Sequence, residues 1–126
     1  MREPESTMAK RTFLQSVGDG LAGVVSTLRT ERNFRIQVGV TAALPVVLLW
    51  LRPPLVLCAL CLVMATLVLA AELFNTALER LADHLHPEHH PAIGAVKDCA
   101  AAAVMLVCAG AGLVGILTLV AVFAKR

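Results

Sequence analysis

Four polar side chains stand at regular spacing at the end of a long apolar run. Glu72, Asn75, Glu79 and Asp83 follow the stretch Pro53–Ala71, which holds no charged residue. At about 100° per residue the four fall within about 80° of one another, a single stripe along one side of a helix. A carboxylate inside a membrane span costs about 2.5–3.5 kcal/mol on insertion scales, so such a stripe faces a bundle interior or a polar cavity. A structural network or a solvated helix end would account for Asp83, but poorly for Glu72 beside the apolar run. Three carboxylates and an amide in a row are hard oxygen donors of the kind Mg2+ takes. Glu31 adds a carboxylate ahead of the first apolar stretch, and Lys97 and Asp98 bring a cation and an acid ahead of the last. A divalent cation, a phosphate-binding lysine and an acid–base carboxylate are the parts of phosphoryl transfer. In that chemistry the protein mainly positions groups and neutralises charge.

The elements that must carry these groups are apolar helices. Of the 126 residues 58% are hydrophobic, against about 45–50% in a soluble domain. The excess lies in Ile36–Leu51, Pro53–Ala71 and Cys99–Ala124, none of which holds a charge. About 20 apolar residues carry a helix across the bilayer core. The expected spans are 33–51, 54–83 and 92–123, with Phe34 and Trp50 as interfacial aromatics at the two ends of the first. Arg52-Pro53-Pro54 makes a short turn, because the residue before a proline is pushed out of helix. Ahead of the spans, Phe13, Val17, Leu21, Val24 and Leu28 recur every three or four residues. They predict an amphipathic helix over 10–30, lying in the membrane interface, packed on the spans, or both. Residues 1–9 are expected to be a disordered tail, and one membrane-embedded domain covers 1–126.

Charge sets the expected orientation. Arg2, Lys10, Arg11, Arg29, Arg32, Arg35, Arg80 and Lys97 fall on one side of three spans, and Arg52, Lys125 and Arg126 on the other. The cation-rich side is cytoplasmic by the positive-inside rule, which places the N-terminus and the 80–98 loop there. The first twelve residues are polar, with no apolar core and cleavage site, so the N-terminus is expected to be retained. A net charge of +2 makes no case for nucleic acid as a partner.

Three tempting motifs carry little. Gly18-Asp-Gly-Leu-Ala-Gly23 spells GxGxxG, but it interrupts a helical stripe and follows no strand, so it is no dinucleotide site. Cys58-x-x-Cys61 has metal spacing without polar surroundings, and it reads with Cys99 and Cys108 as packing. His84, His86, His89 and His90 match no common zinc spacing. They read better as a polar loop at headgroup level that touches a ligand.

Glu72-Leu-Phe-Asn75-Thr-Ala-Leu-Glu79, then Asp83, then His90 and Ala95-Val-Lys97-Asp98, resemble the signature of the small bacterial diacylglycerol kinase family. Thr30-Glu-Arg-Asn-Phe-Arg-Ile36 and His90-Pro91 resemble its undecaprenol kinase branch more closely. The likeness runs from about Phe13 to Phe123. It implies an all-α membrane protein of the bacterial inner membrane, with an N-terminal surface helix and three transmembrane helices per protomer. It further implies a homotrimer with active sites shared between protomers, ATP as phosphoryl donor and Mg2+ as cofactor. By resemblance, Glu72 is the general base and Asn75 the amide between base and metal ligand, with Glu31 and Glu79 as the metal pair. Lys97, Asp98, Asp83, Asp19, Arg11 and the loop Glu88, His89 and His90 fall at nucleotide-binding positions, Arg11 one place out of register. Asn33, Phe34, Arg35 and Gln37, with Glu72, fall where the lipid headgroup is seated. Gln37 stands where the diacylglycerol branch has a glutamate.

The expected function is therefore an ATP-dependent kinase of a membrane lipid alcohol, undecaprenol before diacylglycerol. A small transport subunit would need polar groups through the depth of the bilayer, and the 99–124 stretch offers no charge. A purely structural adaptor would leave the polar stripe unexplained.

Overall fold

The computed structural model describes residues 12–124. The expected tail, the start of the surface helix at 10 and Arg11 lie outside the described residues. Four helices follow in order: α1 (Phe13–Thr30), α2 (Arg32–Leu51), α3 (Leu55–Leu85) and α4 (Pro91–Phe123). Among the described residues all regular structure is helical, and α2, α3 and α4 are each long and apolar enough to cross a membrane. The protein is thus an integral membrane protein of the architecture the apolar runs predict.

Local chemistry sets the helix ends. Thr12 closes a capping box: its hydroxyl accepts from the Gln15 amide at 3.3 Å, and the Gln15 side chain accepts from the Thr12 amide at 2.9 Å. Two of the orphan amide donors at the start of α1 are satisfied in this way. A single extended residue, Glu31 (φ −102, ψ 112), separates α1 from α2. Arg52 ends α2 in the left-handed region (φ 51, ψ 52), its amide bonded to Leu48 O. Pro53 and Pro54 then fix the turn into α3. At the far end of α3, His90 caps α4 through its ring, with Pro91 as first residue.

Helix length explains where the polar groups stand. At about 1.5 Å per residue, the 31 residues of α3 and the 33 of α4 each exceed the roughly 30 Å hydrocarbon core by about ten residues. A span entering at Leu55 reaches the opposite boundary near Glu72–Asn75, and the rest of α3 projects beyond it. The start of α4 projects with it. The two form a straight antiparallel hairpin, pinned at one end by Asp83 with Lys97 and at the other by Cys61 Sγ with Thr118 Oγ1 at 3.3 Å. Between these pins lie 21 residues of α3 (62–82) and 20 of α4 (98–117), so the two helices run in register. Gly110 sits where an added Cβ would stand 3.0 Å from the Met64 methyl, which is how closely the hairpin packs there.

The surface helix combines the two expected arrangements. Phe13 (82% exposed), Leu14 and Leu21 point away from the bundle, whereas Val24 and Thr27 lie against α3. One aromatic departs from expectation. Trp50 is exposed, as an interfacial residue should be, but Phe34 is 2% exposed, the most buried large side chain described. It stands at the start of α2, enclosed by the protein instead of facing headgroups.

Candidate active site

α3 is the ruler of the site. Glu72, Asn75 and Glu79 are half-buried along its inner side, and Asp83 is exposed near its end. Each meets a different neighbour. The Glu72 carboxylate turns to α2, where Gln37 Nε2 donates to Glu72 Oε1 at 2.7 Å. Gln37 Oε1 is buried and has no protein partner among the described residues. Below this pair runs an apolar groove of about 300 Å³, opened between α2, α3 and α4 and lined by Ile36, Val40, Leu44, Met64, Val68 and Ala111, with Gln37 at its polar end. An amphiphile with one polar terminus fits such a shape: the chain lies in the groove and the terminal group reaches the amide–carboxylate pair.

Further along the helix, with Glu79 about 10 Å beyond Glu72 at the usual rise, Asn75 Nδ2 donates to Glu79 Oε1 at 3.2 Å. Asn75 Oδ1 is buried and unpartnered among the described residues. Glu31 caps α2 by position, yet its carboxylate makes no capping bond. Around it, Asn33 is exposed, and Arg35 Nη1 donates to the last carbonyls of α1, Leu28 O at 3.2 Å and Arg29 O at 3.3 Å. No three His, Cys, Asp or Glu side chains gather to form a metal cage among the described residues. A Mg2+ ion that arrives with a nucleotide needs only one or two protein carboxylates beside the substrate phosphates. The donor set is all oxygen, with an uncommitted Glu31 carboxylate and an orphaned amide oxygen beside Glu79.

At the projecting end, Lys97 pairs with Asp83 across the hairpin. The loop opens a second, polar pocket of about 300 Å³ lined by Asp83, His86, Glu88, His89, His90, Lys97 and Asp98. His90 Nδ1 accepts from the Ala92 amide at 3.1 Å, so this ring also ends the helix. The residues expected at nucleotide positions in the loop and on α4 thus share one cavity, while Asp19 stands apart on exposed α1. From the apolar groove to this cavity the order along α3 is Glu72, Asn75 with Glu79, then Asp83 with Lys97.

Two pairings escape a reading of the sequence. Gln37 is visible as an unusual residue, but its bond to Glu72 is not. Arg80 falls outside the stripe, and only the four-residue spacing of Ser26 and Thr30 hints that two hydroxyls on one face await it.

Residues 18–119 match the family described as prokaryotic diacylglycerol kinase. The chain is 29% identical over 105 residues to the undecaprenol kinase of Bacillus subtilis, which covers 83% of this chain and 85% of that protein. It is 36% identical over 95 residues to the diacylglycerol kinase of Synechocystis sp., covering 75% of this chain and 54% of that one. This chain therefore spans about half the length of the cyanobacterial relative.

Proposed function

The chain belongs to the prokaryotic diacylglycerol kinase family of membrane lipid kinases, and from that premise we propose that it transfers the γ-phosphoryl group of ATP to the terminal hydroxyl of a polyprenol of the undecaprenol class. One observation carries the proposal: the apolar groove between α2, α3 and α4 ends on Gln37, whose side chain holds the Glu72 carboxylate. The single groove suits one hydrophobic tail better than the two chains of a diacylglycerol. The relative of similar extent bears the name undecaprenol kinase.

In this reading the lipid arrives sideways from the bilayer, and ATP enters the loop cavity from the cytoplasm. The Glu72 carboxylate takes the hydroxyl proton as the lipid oxygen bonds to the γ-phosphorus. The bond from that phosphorus to the β–γ bridging oxygen breaks, and ADP leaves with the electron pair. Gln37 holds one Glu72 oxygen by its N–H, which leaves the other Glu72 oxygen to receive the hydroxyl proton. Asn75 steadies Glu79. Lys97, with Asp98, Glu88, His89 and His90, contacts the nucleotide. Glu31 and Glu79 would hold Mg2+, which when bound neutralises phosphate charge and orients the γ-group. The bilayer is the bacterial inner membrane, with the N-terminus cytoplasmic and the protein a homotrimer.

Purified protein in bicelles, given radiolabelled ATP with undecaprenol, diacylglycerol or ceramide in parallel, tests the acceptor. Label transfer to undecaprenol at the highest kcat/KM is expected. A higher kcat/KM on diacylglycerol would move the protein to the other branch, and transfer to none would end the proposal.

A further inference from the structure

Arg80 lies outside the chemistry described so far. Its guanidinium leaves α3 toward α1, where Nη2 donates to Thr30 Oγ1 at 2.6 Å and Nη1 to Ser26 Oγ at 3.1 Å. Thr30 Oγ1 spends its own hydrogen on Ser26 O at 3.2 Å, so its lone pairs remain for the arginine. The two hydroxyls stand four residues apart on one face of the last turns of α1. A guanidinium fork reaches both at once in fixed geometry, which a lysine cannot do.

The placement of this clamp is what matters. Thr30 immediately precedes Glu31, the one extended residue of the elbow, and Arg80 immediately follows Glu79. The clamp therefore ties the neighbour of one carboxylate to the neighbour of the other. Elsewhere α1 leans on α3 through Gly20, Gly23, Val24 and Thr27 opposite Leu73, Thr76 and Ala77, an apolar contact with few large side chains. Arg35 fixes the elbow from α2 by holding Leu28 O and Arg29 O, but it makes no link to α3 in doing so.

We propose that Arg80 is a positioning residue of the phosphoryl-transfer site: through Ser26 and Thr30 it sets where Glu31 stands relative to Glu79, and so how tightly the pair takes a nucleotide-bound divalent cation. The inference rests on Glu31 and Glu79 forming the metal pair. A displacement of about 1 Å at such a site is worth up to a hundredfold, and the clamp bonds are partly solvated, so an effect of about tenfold is expected.

The test measures Mn2+ binding by electron paramagnetic resonance, with a nonhydrolysable ATP analogue, on full-length protein in bicelles. Arg80→Ala should weaken Mn2+ binding about tenfold and Thr30→Val about threefold, with the KM for lipid within twofold of the parent. Arg80→Lys should fall between Arg80→Ala and the parent. The double variant Arg80→Ala/Thr30→Val should bind no more weakly than Arg80→Ala, because both remove the same tie. Should Arg80→Ala fail to fold, Thr30→Val, which keeps the side-chain shape, decides alone. Glu31→Gln separates the two layers of inference. If Glu31→Gln weakens Mn2+ binding while Arg80→Ala and Thr30→Val leave it unchanged, the positioning role is wrong and the metal pair stands. If Glu31→Gln itself changes nothing, the metal pair is wrong and the proposal falls with it.

Discussion

Replacing Glu72 with glutamine removes a proton acceptor while keeping shape. Glu72 is half-buried and is held by Gln37 at 2.7 Å. In Glu72→Gln the new amide presents its oxygen to the same Gln37 N–H, so a charge-assisted bond becomes a neutral one. That exchange weakens the contact by about 1 kcal/mol, partly offset because a carboxylate no longer has to sit at the edge of the apolar core. The fold therefore survives. The reaction does not, because an alcohol is a poor nucleophile until its proton is taken, and a positioned general base contributes about 10²–10⁴-fold. At 1.36 kcal/mol per decade this is about 2.7–5.4 kcal/mol of barrier. Lipid phosphorylation should fall by that factor, while binding of Mg-ATP, whose groups sit about 10 Å or more further along α3, changes less than threefold. Both quantities are to be measured in one bicelle preparation, with thermal stability as the control for folding. Near-normal turnover in a folded variant would show that another group or water takes the proton. Loss of nucleotide binding together with activity would move Glu72 into the metal site.

Glu31→Gln and Glu79→Gln should each weaken metal-dependent ATP binding at least tenfold, and unchanged affinity by calorimetry in both would remove them from the metal site. Lys97→Met should raise the KM for ATP about tenfold without moving the KM for lipid. Its stability cost should stay under about 1 kcal/mol, because the Asp83 pair is exposed, at 34% and 65% for the two side chains. Gln37→Leu leaves the Glu72 carboxylate without its donor, so it should lower the unfolding free energy by about 1–3 kcal/mol and slow turnover. Calorimetry of an unchanged, fully active variant would argue against a working Gln37–Glu72 pair. A cysteine placed after Arg126 should react with an impermeant reagent from outside the cell, and one before Lys10 should not. The reverse labelling would put the polar stripe on the side without ATP.

The spans and the polar stripe were legible because both depend on one helix at a time. Apolar length marks a crossing, and a period of 3.6 puts Glu72, Asn75, Glu79 and Asp83 on one side of α3 whatever surrounds it. Which neighbour each of them meets depends on how α2 and α4 are rotated against α3, and no local rule supplies that. Gln37 finds Glu72, Asp83 finds Lys97, and Arg80 finds Ser26 and Thr30 only once the helices are packed. Phe34 fails for the same reason. An aromatic at a span end is usually an interfacial anchor, but packing encloses this one.

The thinness of the core explains how so short a chain can hold both the apolar groove and the polar loop cavity. A soluble domain would spend Leu49, Trp50, Leu55 and Met105 on its interior, whereas here they point outward and few large side chains are enclosed. Lipid takes up that apolar surface, so the helices are free of the need to close around a single centre. What must then agree between helices is the polar side of α3, because each carboxylate there is tolerated only beside a donor, a cation or a ligand. Glu72 has Gln37, Glu79 has Asn75 and Asp83 has Lys97. Among the described residues two buried oxygens, Gln37 Oε1 and Asn75 Oδ1, are left over. Asn75 Oδ1 stands beside Glu79, so under the proposed function a nucleotide-bound cation would complete the network there, and Gln37 Oε1 belongs to the polar end of the groove.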